Sequence, residues 1–405
     1  MNILFINGTY PCYGGTEKVT TILANQFVSE GFHVHIASFK QVNEELLTEL
    51  DEKVMLHKLY LPVFSRKNIS IIRKILLESD IDIIINQWCL PYLTTMLLNK
   101  ARKGFSCKLI SVLHGVPDKS KKVIVMTDKL EHAKSKYLRI LYRVGLNILN
   151  KIIRKSICLT YANSDRYVVL SHGFINTFKN YTKLINLSKL LSIGNPLTIK
   201  TDFLTDCIPS KRKQLLYVGR MDYENKRVNR IIEVWEKLSF DFPEWNLVLV
   251  GDGPHRRQLE EYVCTFKIPR VTFTGFIREE PVKYYQQSSI FILTSDLEGF
   301  GLVITEAMSY GVVPVVYGSY ISVYDIIDNG VNGYITKPPY SSLEMEQKLR
   351  SLMNDGQLRT EMAYQAIEKS KKYSIEAVIG KWKILLNDVI YEESSNNSGN
   401  YPYEG

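Results

Sequence analysis

Ile290-Phe291-Ile292-Leu293-Thr294-Ser295-Asp296-Leu297-Glu298-Gly299-Phe300-Gly301-Leu302-Val303-Ile304-Thr305-Glu306-Ala307 decides the fold of this chain. Ile290–Thr294 is an apolar run without polar alternation, the pattern of a parallel strand covered on both faces. Gly299 and Gly301 permit a tight turn, and the residues from Leu302 onward carry helical spacing. Strand, glycine turn and helix make one half of a βαβ unit. Outward from this stretch the same alternation recurs. Strands are expected at Ile3–Ile6, Val34–Ser38, Ile83–Asn86, Leu109–Leu113, Ile157–Tyr161, Leu215–Val218, Leu247–Val250, Val271–Thr274 and Val313–Val316, most of them separated by helical patterns. Two doubly wound α/β units follow.

Their seam is expected between Pro196 and Lys213, a segment without periodicity, giving domains 1–197 and 198–373. A helix over 374–391 is predicted from Ile375, Val378, Ile379, Trp382, Leu385, Leu386 and Val389, and residues 392–405 read as a polar, disordered tail. The 405 residues exceed one compact core, and the composition (45% hydrophobic, 23% charged) excludes a disordered or fibrous chain. The nearest approach to a membrane span, Gly301 to Gly318, is interrupted by Glu306 and Pro314. Six cysteines without a C-x-x-C pair point to neither a disulfide framework nor a zinc site. With no basic region before the first apolar run, a cytosolic chain without a signal peptide is expected.

Ligands of doubly wound sheets bind beyond the carboxyl ends of the strands. After the strand ending at Thr294, two carboxylates flank a Gly-Phe-Gly turn. Glu298 lies just before the helix, and Glu306 lies about 8–9 Å along it. Amides at the helix start favour an anion such as a diphosphate, while each carboxylate accepts hydrogen bonds from a hydroxylated sugar. After the strand ending at Val218, Arg220 and Lys226 place two cations where they converge on one anion. In the first half, Asn7 to Glu17 follows a strand and opens a helix. Its Gly14-Gly15 pair is compatible with a plain tight turn and with an anion-binding loop. His114 ends another strand beside Gly115, as a loop histidine or a ligand contact. Asp80-Ile81-Asp82 sits at the entry of a strand, the wrong end for ligands, and reads as a strand start.

These residues resemble the retaining glycosyltransferases of the GT-B fold, in the large nucleotide-sugar-dependent fourth family. Glu298 and Glu306 match its E-x7-E pattern, and Val218-Gly219-Arg220 with Lys226 matches its diphosphate-binding pair. Val250-Gly251-Asp252-Gly253-Pro254, Phe273-Thr274-Gly275-Phe276, Gly194-Asn195-Pro196 and Gly14-Gly15-Thr16-Glu17 fall in family order. Arg227 departs from it, since the family usually has Gly there. The resemblance covers about residues 1 to 390. It implies two Rossmann-like domains facing a cleft, with the last helix crossing back to the first domain. It implies that Arg220, Lys226 and the amides of Gly299, Phe300, Gly301, Leu302 and Val303 hold the donor diphosphate. Glu306 would bind the ribose, Glu298 the donor sugar, and Ile277, in the stretch from Gly275, would lie against a uracil base. His114 would contact the transferred sugar, and Gly14 and Gly15 would close on the phosphates. The donor is expected to be a UDP-sugar, with no cofactor and no metal. Retention of configuration is likewise implied. The acceptor is expected to be a lipid-linked oligosaccharide for surface polysaccharide, extended by a hexose. A nucleotide-sugar epimerase of the same fold is the competing enzyme, distinguished by product analysis without acceptor. A non-catalytic sugar-nucleotide-binding partner is disfavoured by the intact charged set.

Charge is unevenly spread: net +9 overall, with fourteen Lys/Arg against three acids from Ala101 to Lys155. Lys134 to Lys155 fits an amphipathic helix with Lys136, Arg139, Arg143, Lys151 and Arg154 on one side and Leu138, Leu141, Ile148, Leu149 and Ile152 opposite. The basic side is either a solvated face on a core-packed helix or a contact with an anionic membrane surface. No base-reading motif is present, so nucleic acid is not the expected partner. The protein is therefore expected at the inner face of the plasma membrane, bound peripherally.

Overall fold

A computed structural model describes residues 1–397 apart from Lys134, Cys207 and Glu279. The chain divides into two units, Met1–Pro196 with the chain from Ile375 on, and Leu197–Ser374.

The first unit runs β1 (Asn2–Thr9), α1 (Gly15–Ser29), β2 (His33–Lys40), β3 (Met55–Lys58), α2 (Arg66–Glu78), β4 (Ile83–Asn86), α3 (Tyr92–Ala101), β5 (Lys108–Leu113), α4 (Lys121–Glu131), α5 (Lys136–Ala162), β6 (Arg166–Val169), α6 (Gly173–Thr182) and β7 (Leu190–Ser192). Its strands form one parallel sheet in the order β3-β2-β1-β4-β5-β6-β7. Ile3 to Ile6 and Ile83 to Ile85 have no exposed surface, as strands covered on both faces require. Asp82 accepts a hydrogen bond from the Asn2 amide at 2.7 Å, so the Asp80–Asp82 text marks a strand start.

One expected strand is a helix. Ile157–Tyr161 forms the last turns of α5, and the sheet position is taken by Arg166–Val169. The local residues favour strand, but the buried ones, Ile157, Thr160 and Tyr161, recur at helical spacing. At the other end, Ser135 caps α5 by accepting from the Leu138 amide at 3.1 Å. A second correction concerns the apolar side of α5. Most of it faces outward: Leu141, Ile148 and Ile152 are 54%, 53% and 60% exposed, while Leu149 turns toward α4.

The second unit runs β8 (Arg212–Val218), α7 (Val228–Leu238), β9 (Asn246–Val250), α8 (Arg256–Thr265), β10 (Val271–Gly275), α9 (Val282–Gln287), β11 (Ser288–Leu293), α10 (Leu302–Ser309), β12 (Val313–Tyr317), α11 (Val323–Ile326), β13 (Tyr334–Thr336), α12 (Ser342–Asn354) and α13 (Gly356–Ser370). Its parallel sheet has the order β10-β9-β8-β11-β12-β13. The final helix, α14 (Ile375–Asn397), belongs to the first unit, where Lys383 pairs with Glu30 at 2.6 Å. Val378, Ile379, Trp382, Leu385, Leu386 and Val389 are buried. The helix continues six residues past its expected end. Of the expected tail, residues 392–397 are therefore helical, and 398–405 lie outside the described residues.

Candidate active site

The stretch that decides the fold also carries three carboxylates, Asp296, Glu298 and Glu306. Strand β11 ends at Leu293, and the chain turns through Ser295 to Gly301 before α10 begins. Gly301 sits at φ +102°, a left-handed conformation that glycine adopts without steric cost. It offers no side chain to cap the helix, so the first-turn amides of α10 are oriented for an external acceptor. Phe300, buried, packs edge-on against Tyr373 and anchors the turn.

Beside it, β8 ends at Val218 and the loop from Gly219 to Arg227 presents two cations. Asp222, buried, accepts from the amides of Asn225 and Lys226, both at 2.8 Å, which folds the loop back under Lys226. The Lys226 Nζ then lies 2.6 Å from Glu298 Oε1, with the two side chains 18% and 14% exposed. Arg220 is 62% exposed and its carbonyl accepts from the Tyr217 hydroxyl at 2.8 Å. The neighbouring Val250–Pro254 turn supports this loop by close backbone approach. A Cβ on Gly251 would lie 2.0 Å from the Gly219 carbonyl oxygen, so only glycine fits there.

Arg227, where the resemblance leads one to expect Gly, takes the left-handed backbone itself at φ +52° and ψ +42°. Such a conformation costs a residue with a Cβ about 1 kcal/mol. A compensating contact is present: Arg227 Nε lies 2.5 Å from Asp296 Oδ2, while Arg230 Nη1 lies 2.6 Å from Asp296 Oδ1. The Asp296 amide donates to the Asn225 carbonyl at 2.8 Å. The loop bearing Lys226 and the turn bearing Glu298 are thereby stitched together.

Glu306 is the fifth residue of α10 and is 6% exposed. Its carboxylate accepts from the Thr198 hydroxyl on one oxygen and from the Tyr285 hydroxyl, at 2.9 Å, on the other. Burial, reinforced by the Glu306 charge, pushes the Tyr285 hydroxyl well above its usual range, so it remains a donor. Two further buried polar atoms line this region without a partner, the hydroxyls of Ser295 and Tyr320. Thr198, Tyr285, Asp296 and Arg230 were not among the residues expected from sequence. Ile277 is half-buried in the loop after β10.

In the first unit, His114 follows β5 and its Nε2 pairs with the Gln87 amide oxygen. That oxygen only accepts, so Nε2 carries the proton. Burial pushes the imidazole down from 6.5 to about 4. Gly14 and Gly15 are exposed at the start of α1, and Gly14 has extended backbone at φ −173°. Glu17 stands in the first turn of that helix, its carboxylate receiving its own backbone amide. Of the basic residues on α5, Arg154 is tied to the Thr182 carbonyl and Arg139 to that of Ala133.

The histidines set a pH dependence. His35, bonded to His57 at 2.9 Å, is pushed down to about 4 by burial and then by the neighbouring His57 and His33 charges. His35 and His114 are therefore neutral in the folded chain at pH values where the unfolded chain already binds protons. Their contribution to stability is full above about 6.5 and is lost as pH falls toward about 4. Thermal unfolding midpoints are expected to drop across that window, with a shallower drop for His35→Gln. An identical slope in the variant would contradict this assignment.

Residues 13–189 match the family model described as Glycosyltransferase Family 4, and residues 204–369 match Glycosyl transferases group 1. A Campylobacter jejuni enzyme named GalNAc-alpha-(1->4)-GalNAc-alpha-(1->3)-diNAcBac-PP-undecaprenol alpha-1,4-N-acetyl-D-galactosaminyltransferase is 26% identical over 96% of this chain and 99% of its own length. The lipopolysaccharide 1,6-galactosyltransferase of Salmonella typhimurium is 25% identical over 84% of this chain and 86% of its own. Among solved structures, Anabaena Alr3699/HepE in complex with UDP superposes with a TM-score of 0.74 at 17% identity, covering 96% of this chain and all of that one. The chain belongs to the glycosyltransferases of the GT-B fold, with a family 4 domain in its first unit and a group 1 domain in its second.

Proposed function

We propose that this chain transfers a hexose from a UDP-sugar, with retention of anomeric configuration, to a lipid-linked saccharide during synthesis of a surface polysaccharide at the inner face of the membrane. The observation that carries the reading is the convergence of Lys226 and Glu298, at 2.6 Å, beside the uncapped start of α10. A diphosphate requires cations and amides, and a sugar requires a carboxylate acceptor; this corner of the second unit offers both. The similar proteins support the acceptor class, since one is named as a lipopolysaccharide galactosyltransferase and one for an undecaprenol-linked saccharide.

Breaking the anomeric bond moves negative charge onto the leaving phosphate and positive charge onto the sugar. In the proposed mechanism Lys226, Arg220 and the amides of Gly299 to Val303 receive the first. Each donor aimed at a developing oxyanion lowers the barrier by about 3–4 kcal/mol. The Lys226–Glu298 pair opens as the donor enters, the ammonium turning to phosphate and the carboxylate to sugar hydroxyls. Glu306, held rigid by Tyr285 and Thr198, takes the ribose with its remaining lone pairs. From the first unit the proposal takes His114 and the Gly14–Gly15 loop, in the roles the resemblance implies. The neutral imidazole of His114, its Nε2–H taken by Gln87, offers Nδ1 as an acceptor without adding charge. Ile277 is assigned to the base.

These cations make a divalent metal unnecessary in the proposed reaction. Incubation with a UDP-hexose, a lipid-linked saccharide acceptor and excess EDTA is expected to give an α-linked product at the rate seen without chelator. Loss of turnover in EDTA, restored by Mn²⁺ or Mg²⁺, would contradict the metal-free reading. An epimerised donor formed without acceptor would contradict transfer itself.

A further inference from the structure

We infer that the α4–α5 hairpin is a membrane-insertion surface, in which α5 lays an exposed apolar stripe into the interface of an anionic bilayer. Tyr137, Ile140, Leu141, Val144, Ile148 and Ile152 are 77%, 53%, 54%, 50%, 53% and 60% exposed. At 100° per residue they fall within one 120° sector of the helix about four turns long, a strip which near its C-terminal end they share with Lys151. Single exposed apolar side chains are ordinary, but six on one face are a contact surface. The residues that turn inward, among them Leu146, Leu149, Ile153 and Ile157, occupy the opposite side.

Charge selects the occupant. Among its 27 residues α5 has six Lys/Arg and no acid. Lys136 and Arg143 border the strip along one edge. On its other side α4 packs against α5, with the Met126 side chain over Gly145. An apolar groove of about 440 Å³ opens between the two helices, lined by Val125, Met126 and Leu149 and rimmed by Lys122 and Lys129. The strip is thus bounded by cations on both sides, the arrangement of a helix lying in the plane of an anionic headgroup layer. Each Lys or Arg near such a surface adds about 1 kcal/mol. A second copy is a poor occupant, because two such hairpins would bring their cations face to face. Nucleic acid is a poor one too, since its phosphates would meet the aliphatic strip. No described helix is long and apolar enough to cross a membrane, so the hairpin rests at the surface.

This inference deepens the proposed use of a lipid-linked acceptor and is read independently of it, because vesicle binding needs neither donor nor acceptor. Full-length protein is floated with vesicles of phosphatidylcholine alone and with phosphatidylcholine carrying about one-third phosphatidylglycerol. Binding to the anionic vesicles is expected, retained in part at high salt. The triple variant Ile140→Ser, Val144→Ser, Ile148→Ser is expected to lower that affinity at least about tenfold, while its melting temperature and its donor hydrolysis stay those of wild type. The variant Lys136→Gln, Arg143→Gln should weaken binding to anionic vesicles and leave the residual high-salt binding in place. Unchanged vesicle affinity in the serine variant would overturn insertion in favour of purely electrostatic contact. Absence of vesicle binding by wild type would overturn the inference, as would a concentration-dependent dimer abolished by the serine changes.

Discussion

Replacing Lys226 with alanine is expected to lower kcat about a thousandfold while the chain stays folded. The ammonium is the one described cation within ion-pair distance of Glu298, and in the proposed reaction it meets the charge that builds on the leaving diphosphate. The loss should fall on kcat more than on the KM for donor, because the ground-state diphosphate carries less charge at the breaking bond than the transition state does. Glu298 loses its partner in this variant, yet it keeps some solvent contact at 14% exposure, so the fold survives. Steady-state rates at saturating donor, with a melting curve on the same sample, decide the matter. A kcat equal to wild type would remove Lys226 from the mechanism.

Asp296→Ala should have the largest effect on stability. Its carboxylate holds Arg227 and Arg230 at 2.5 and 2.6 Å, and Arg230 is 18% exposed, between the rings of Tyr317 and Tyr340. Removing the acid leaves a guanidinium among aromatic rings without its counter-charge, which costs about 3 kcal/mol. It also releases the contact that compensates the left-handed backbone of Arg227. Denaturant unfolding should show a lower midpoint at unchanged slope, and the KM for donor should rise as the Lys226 loop loosens. Asp296→Asn, which keeps the shape and one acceptor oxygen, should lose less. Equal stability of the alanine variant and wild type would show that the arginines hold the loop without this acid.

The parallel strands were legible because burial on both faces leaves uninterrupted apolar runs such as Ile290–Thr294. Short edge or near-edge strands were not. Met55–Lys58, Leu190–Ser192 and Tyr334–Thr336 have three or four residues each and too little pattern to register. Ile157–Tyr161 misled because residue type and residue spacing disagreed, and tertiary packing followed the spacing. The amphipathicity of α5 was visible in sequence, but periodicity does not say which side faces water. At the site, groups carried by one short segment, Glu298, Gly301 and Glu306, stood out. Thr198 and Tyr285 did not, since each is joined to Glu306 only by the fold. The Arg227 departure is accommodated by Asp296, a partner sixty-nine residues away.

Everything proposed for the second unit turns on where a donor's pyrophosphate lies. A crystal structure of the protein grown with UDP would measure this directly. The account predicts phosphate oxygens within hydrogen-bond reach of Lys226 Nζ and of the first-turn amides of α10. A nucleotide bound elsewhere, with the Lys226–Glu298 pair still closed, would contradict it.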